Sequence, residues 1–542
     1  MSPQHSSQPV VSTDAGRVRG FVKDGVTWFL GIPYGGSTAG RARFGPPPPV
    51  TPWTGIRDAM AYGPAAPQTN TASAIRNPWI TAGRRVPGML IMRTFMGSLA
   101  PHESEDCLNL NVFTGGARGS VKRPVLVWLH GGGFNAGTAN SSAYDGSGLA
   151  RRLDVVVVGV NHRLGALGYL HLAEAGDPDL AHSGNAGTLD QIAALQWVRR
   201  NIAAFGGDPE RVLIFGQSGG GWKVSTLLAS PAAAGLFSRA VIQSGPGVTM
   251  VPRDRAAEIA DRFLLEAGAK NPQGLRGVPA ERLVAAQHVT EAALPPRIIP
   301  NILDGFAPVI DPEVLPDHPF AGDPPASSAE VPLIIGHTRT EMTLFSDTKT
   351  LAADDHRALA TVTELLGEDR GRGLWSAYAD LHPIAPPARK LAYLLSDLTM
   401  FPFVGRILQA RRSVPAETYS YRFDWETPVL GGALMAPHGV EIPFIFGTLD
   451  ATEQMTGPVV EGSRALAARM SATWAAFAET GTPAAGPSGL APWPAYRNPE
   501  NSTLLIDHTP SLEDGLVPKM EELLSGLVEP VRERMGLTLH SA

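Results

Sequence analysis

Five short runs are apolar at almost every position: Val125-Leu126-Val127-Trp128-Leu129, Val155 to Val160, Arg211-Val212-Leu213-Ile214-Phe215, Ala240-Val241-Ile242 and Val331 to Ile335. A strand with one wet face alternates apolar and polar residues, so unbroken apolar character predicts strands covered on both faces, as in a parallel sheet. Between them, Thr188 to Phe205 carries Leu189, Ile192, Leu195, Val198 and Ile202 near helical spacing, with Gly206-Gly207 as the stop. Strand and helix alternate, which predicts an α/β fold with a central, mostly parallel sheet flanked by helices. From about residue 250 to 410 the pattern is more helical and irregular, and the sheet signal returns at Val331. That stretch reads as insertions and a helical cap around one sheet. No internal repeat or linker-like segment divides the chain, so residues 8–537 are expected to form a single domain.

The 542 residues, 43% hydrophobic and 18% charged, suffice for a large core. Forty-five basic against 51 acidic residues give a net charge of −6, which supplies no general attraction to nucleic acid or anionic lipid. No uninterrupted apolar run reaches bilayer-spanning length, and Met1-Ser2-Pro3-Gln4-His5 has neither the basic nor the apolar region of an export signal. The expectation is a cytoplasmic protein with no membrane span and no nucleic-acid partner. The single cysteine, Cys107, excludes an intrachain disulfide and a multi-cysteine metal site, and reads as a small buried hydrophobe.

Gly216-Gln217-Ser218-Gly219-Gly220 fits the pattern G-x-S-x-G, which is weak by itself in a chain rich in glycine and serine. Its context is stronger. The strand Arg211 to Phe215 leads in and a small-residue helix, Gly220 to Ser230, leads out, as a nucleophile elbow requires. The helix N-terminus also puts backbone N–H groups where an oxyanion would develop. A second element, His130-Gly131-Gly132-Gly133-Phe134, directly follows the strand Val125 to Leu129. Three glycines there let the main chain approach a reacting carbonyl. Together the two motifs predict an oxyanion hole with N–H donors from Gly132, Gly133 and Gly219; the competing reading of each is a plain glycine-rich turn.

Serine needs an adjacent base to act as a nucleophile at neutral pH, so an acid and a histidine are sought downstream of Ser218. His438 lies after the strand-like run Thr418 to Trp425, with His337, His318 and His288 as open rivals. Glu341 follows the run Val331 to Ile335 within a few residues, at the end of the strand where such sheets gather functional groups. Asp311 and Asp347 compete with it, and an exposed structural carboxylate is the other reading of Glu341.

The chain resembles the type B carboxylesterase/cholinesterase family of α/β-hydrolases over nearly its whole length. The resemblance is carried by Gly31-Ile32-Pro33-Tyr34, Arg43-Phe44, Ser104-Glu105-Asp106-Cys107-Leu108 with Asn109-Leu110-Asn111-Val112, and the His130 glycine run. It continues through Asn161-His162-Arg163-Leu164-Gly165, Gly184-Asn185, Leu189-Asp190-Gln191, Phe215 to Gly221 and Gln243-Ser244-Gly245. Late carriers are Glu341, His438-Gly439, Ile442-Pro443-Phe444, Phe446-Gly447 and Trp474-Ala475-Ala476-Phe477-Ala478 before Thr480-Gly481. The resemblance implies an α/β-hydrolase fold, a triad of Ser218, Glu341 and His438, and ion pairs Arg43–Glu105 and Arg163–Asp190.

The chain departs from that pattern in several places. The family's disulfides are absent, in keeping with a bacterial-type intracellular enzyme. Gly219 stands where alanine is common, which predicts a more flexible elbow. Gln217 replaces the glutamate that cholinesterases place before the serine, and Gly97 falls where their choline-binding tryptophan is expected, which disfavours a quaternary ammonium substrate. Trp222 and Lys223 stand where small residues are usual, with no account from sequence. Thr71 to Pro101 corresponds to a variable loop at the family's active-site entrance, and its Trp79, Met89, Leu90, Ile91, Met92, Phe95 and Met96 suit either a hydrophobic substrate or ordinary packing. The implied activity is hydrolysis of a small, hydrophobic carboxylic ester through an acyl-enzyme, without metal or organic cofactor. Amide or carbamate hydrolysis by the same machinery, and a silent esterase-like binding module, are the alternatives.

Overall fold

Apolar on both faces, the predicted strands lie side by side at the centre of the computed structural model, which describes residues 8–68, 86–95, 97, 102–116, 122–294, 305–483 and 489–525. Among these, eleven strands build the main sheet. They are β1 (Phe21–Lys23), β2 (Val26–Pro33), β3 (Asn109–Thr114), β4 (Arg123–Leu129), β5 (Val156–Val160), β6 (Gly207–Gln217), β7 (Arg239–Gln243), β8 (Leu333–Thr338), β9 (Thr418–Phe423), β10 (Thr503–Ile506) and β11 (Ser511–Glu513). Their spatial order is β11-β10-β9-β8-β7-β6-β4-β5-β3-β2-β1. The strands from β5 across to β10 run parallel, and antiparallel pairings flank them at both edges. A separate three-stranded sheet pairs Val10–Ser12, Arg17–Arg19 and Ile56–Asp58.

Successive side chains of a strand point to opposite faces, and both faces of this sheet are covered. Val125, Val127 and Leu129 of β4 enter one apolar cluster with Val156, Val158, Ile214 and Ile335. The intervening Leu126 and Trp128 enter a second, with Val157, Leu213, Phe215 and Phe446. A third cluster joins Phe134, Leu167 and Tyr169 to residues between Met250 and Leu315.

The helices that matter for the site are α1 (Pro87–Phe95), α2 (Ala186–Asn201), α3 (Gly219–Ala229), α4 (Pro387–Ala410) and α5 (Glu461–Thr480). Helix α2 buries Ile192, Leu195 and Val198 against the first cluster, and a 3₁₀ turn, Ile202–Phe205, ends at Gly206, whose φ of +85° suits glycine. α4 with the turn that follows it has the length and apolarity of a membrane span, but 72% of its apolar window is buried inside the protein, as in a core helix.

Parallel register aligns the C-terminal ends of neighbouring strands. Gln217 of β6 sits opposite Gln243 of β7, and Gln243 opposite Gly336 of β8. Leu129 of β4 sits opposite Gly216. The segments after β4, β6, β7 and β8 therefore leave from one edge of the sheet, and every motif singled out from sequence around Ser218, His130 and Glu341 begins there.

Candidate active site

Ser218 links β6 to α3 with φ +59° and ψ −125°, a backbone conformation that costs a non-glycine residue energy and persists only where its surroundings hold it. The surroundings are specific. Its N–H donates to Gln243 O at 2.8 Å, and its C=O accepts from Trp222 N at 3.2 Å to start the helix. A methyl group on Gly220 would lie 2.0 Å from Leu129 O, so the elbow packs directly on the end of β4. Ser218 is half-buried.

The loop after β4 lies against that elbow. A trans peptide points its N–H opposite its C=O, so the partner of each carbonyl fixes the aim of the next amide. Gly131 O accepts from His130 Nδ1 at 2.8 Å, and Gly132 O accepts from Ala136 N at 3.0 Å. The N–H groups of Gly132 and Gly133 are thereby turned away from these partners. Along with that of Gly219, they take no hydrogen-bond acceptor among the described residues. A methyl group on Gly219 would lie 2.5 Å from Gly133 N and 2.2 Å from Gly133 O, so the two backbones meet closely. Glycine at 219 therefore stands where the loop leaves no room for a side chain.

Glu341 opens a short 3₁₀ turn, Glu341–Phe345, just past β8, and is fully buried. Its Oε1 accepts from Thr338 N at 2.7 Å, and its Oε2 accepts from Nδ1 of His438, 97 positions away in the chain. Burial works against both charges, but the pairing outweighs it, holding the Glu341 carboxyl below its ordinary range and the His438 imidazole above. The other ring nitrogen, Nε2, accepts from the Gln217 amide at 3.2 Å. Among the described residues Ser218 and His438 make no direct hydrogen bond; the residue beside Ser218 occupies that position. Phe345 packs against the imidazole with ring centroids 5.3 Å apart, and Met92 of α1 and the Gln217 amide flank Gly439.

A second carboxylate, Glu441, is fully buried near the pair, with Ser244 Oγ donating to it at 3.4 Å. Burial first, and then the negative charge of Glu341, push it up to about 7. Sequence reasoning did not single out Glu441 or the Gln217–His438 contact. Both depend on a loop returning to the sheet edge, which no local pattern encodes.

The rival residues are occupied elsewhere. His337 Nδ1 donates to Thr338 O and its ring packs on Phe401. His318 Nδ1 accepts from Met250 N, and His288 lies on the helix Ala280–Ala292. Asp311 pairs with His182, and Asp347 caps the helix Thr348–Leu351. Of the entrance-loop residues, Trp79 and Met96 lie outside the described residues, while Met89 and Phe95 of α1 are buried.

The model of the Carboxylesterase family matches residues 7–522. The chain belongs to the carboxylesterase family. It is 36% identical over 509 residues to the para-nitrobenzyl esterase of Bacillus subtilis (strain 168), covering 93% of this chain and 96% of that protein. It is 33% identical over 515 residues to the phenmedipham hydrolase of Pseudarthrobacter oxydans, covering 92% and 95%. A solved PNB esterase superposes with a TM-score of 0.78 at 33% identity, covering 96% of this chain and 99% of that one. A Geobacillus stearothermophilus carboxylesterase gives 0.78 at 32% identity, covering 95% and 99%. The carboxylesterase therefore has the α/β-hydrolase fold and is a carboxylic ester hydrolase, and the family assignment favours esters over amides and carbamates.

Both ion pairs implied by resemblance are present in this carboxylesterase. Arg163 grips Asp190 through Nε at 2.8 Å and Nη2 at 2.6 Å, fully buried. Arg43 grips Glu105 at 2.7 and 2.6 Å while its Nη1 donates to Leu275 O and Val278 O. Cys107 is buried and free.

Proposed function

We propose that Ser218 is the nucleophile, His438 the general base and Glu341 the residue that orients it, in hydrolysis of a small hydrophobic ester. The observation that carries this reading is the buried Glu341–His438 pair, whose free nitrogen, Nε2, is turned to the residue adjoining Ser218. With Nδ1–H committed to Glu341, Nε2 carries the lone pair. Once Nε2 exchanges the Gln217 amide for the Ser218 hydroxyl, it takes the proton as Oγ attacks the ester carbonyl. The N–H groups of Gly132, Gly133 and Gly219 then receive the oxyanion. The imidazolium, stabilised by Glu341, gives its proton to the departing alcohol, and water repeats the sequence on the acyl-enzyme. No metal or organic cofactor is needed.

Met92 and Phe345 support an apolar substrate, since both lie on the His438 side of the elbow. We take residues 8–537 as one catalytic domain, supported by an apolar cluster that runs from Val11 to Leu524. We place the enzyme in the cytoplasm, supported by its single, unpaired cysteine.

Replacing Ser218 by Ala tests the assignment. Turnover of p-nitrophenyl butyrate is expected to fall by about 10³-fold or more, and stoichiometric labelling by an organophosphate to vanish. Near-normal turnover by that variant refutes the reading. Failure of the unsubstituted protein to take the label would likewise refute Ser218 as the nucleophile.

A further inference from the structure

Lys223, for which the sequence offered no account, is fully buried one turn into α3. Its Nζ donates to His130 O at 2.7 Å. Among the described residues no carboxylate lies within ion-pair distance of it. Its other neighbours are the Phe134 ring, 5.9 Å from Nζ to centroid, and the imidazoles of His130 and His162, stacked 4.9 Å apart. Burial first, and then the Lys223 charge, hold both imidazoles well below their ordinary range, so they are neutral. Burial also brings the Lys223 ammonium itself down to about 7. An unpaired buried cation is expensive, and hydrophobic residues of similar length fill such space at less cost. The role that remains is the one bond Lys223 makes.

That bond closes a series. His130 O is held by Lys223, Gly131 O by the His130 ring and Gly132 O by Ala136 N, so three consecutive peptide planes are fixed by their carbonyls. The amides of Gly132 and Gly133 are aimed by the last two of these, and Lys223 anchors the first. The same helix starts at Gly219, whose lack of a side chain lets Gly133 come within contact of it. Lys223 pulls the loop toward α3 and Gly219 makes room for it; the two departures from the family pattern serve one arrangement.

We propose that Lys223 is a positioning residue that fixes the oxyanion loop through the carbonyl of His130. The proposal rests on the reading of Gly132, Gly133 and Gly219 as oxyanion donors and Ser218 as nucleophile. Donors aimed in advance at the tetrahedral oxyanion act on the transition state rather than on substrate binding. Removing the anchor therefore lowers kcat and leaves KM in place.

Lys223→Met removes the donor and Lys223→Gln keeps an N–H donor, each on a side chain one bond shorter than lysine. Each is compared with the unsubstituted enzyme on p-nitrophenyl butyrate and on an aryl trifluoromethyl ketone. In that adduct Ser218 Oγ bonds to the ketone carbon, its proton passes to His438 and the oxyanion occupies the hole. For Lys223→Met we expect kcat to fall tenfold or more with KM within twofold, and the ketone inhibition constant to rise in parallel. Lys223→Gln falls between the two. Native near-UV circular dichroism with kcat and ketone affinity within twofold of the unsubstituted enzyme overturns the proposal, as does a loss confined to KM. If Lys223→Met does not fold, Lys223→Leu, which also lacks the donor, decides: a joint loss of at least threefold supports the anchor, and smaller changes overturn it. Organophosphate titration of the unsubstituted enzyme separates the two layers, because failure to label one site per chain overturns the Ser218 reading whatever Lys223 does.

Discussion

The side-chain amide of Gln217 donates to Nε2 of His438 at 3.2 Å, the nitrogen proposed to take the Ser218 proton. An amide can donate only to a neutral imidazole, whereas a carboxylate at this position would favour the imidazolium. Gln217 thus biases the resting histidine toward its base form. Gln217→Glu is expected to raise the His438 pKa and to move the acid limb of kcat/KM upward by about 1 pH unit. A pH–rate profile that superposes on that of the unsubstituted enzyme would show that the contact has no influence on the base.

The Glu341–His438 pair ties activity and stability to pH in opposite senses. His438 is held above 6.5, so with His438 as the proposed base turnover is expected to be lost as the pH falls through that raised value. The stability it contributes is full below 6.5 and is lost as the pH rises through the same value. Glu341 is held below 4.5, so its contribution is full above 4.5 and lost as the pH falls through the depressed value. The pair therefore stabilises most between 4.5 and 6.5, where the base is protonated and turnover is failing. Glu341→Gln should lower kcat by about 10³- to 10⁴-fold. Its deficit in Tm should be largest between these two pH values and should shrink at alkaline pH. A deficit independent of pH contradicts the ion pair.

Gly219 and Gly133 make a third prediction. A methyl group on residue 219 would sit 2.2 Å from Gly133 O, a contact that only backbone movement can relieve. Gly219→Ala should displace an oxyanion donor and lower kcat by about 10- to 10²-fold with little change in KM. Steady-state kinetics with p-nitrophenyl butyrate measure it. Unchanged kcat would mean that the loop yields without cost.

What the sequence made legible follows from physics local to each segment. The runs of β4, β6, β7 and β8 were readable because both their faces are buried, so nearly every residue is apolar. Strand β3 was not, since Asn109 and Asn111 interrupt it. Both are buried polar residues satisfied by side chains of distant segments, Asn111 by Asn140 and Asn109 by Asn161. Ser218 and the glycine run announced themselves through strand–turn–helix context. The meeting of Glu341 with His438 did not, because 97 residues separate them, and without the family resemblance His337, His318 and His288 stay open as rivals of His438. Lys223 stood out only as a departure from the family pattern, because the bond to His130 O that accounts for it joins segments 93 positions apart.

Arg163 and Asp190 separate the cost of breaking an ion pair from the value of having one. Both side chains are buried, and Asp190 Oδ2 also accepts from Arg163 N at 3.0 Å. Burial opposes the Arg163 charge, but Asp190 outweighs it and keeps the guanidinium protonated. Asp190→Asn leaves that cation without its counter-charge in the interior, so unfolding free energy should drop by about 3–5 kcal/mol in urea titrations. Arg163→Met alone strands the carboxylate and should cost a similar amount. The double variant Arg163→Met/Asp190→Leu removes both charges together and should lose less than either single one, because no unpaired charge stays behind. It still gives up the guanidinium's bonds to Gly45 O and Ala186 O, two carbonyls that a methionine cannot satisfy. Neither residue adjoins the Ser218 elbow, so kcat per folded molecule, counted by organophosphate titration, should hold within about twofold in every variant. A double variant less stable than both singles would mean that those two carbonyl bonds, rather than the charge pairing, are what the pair is for.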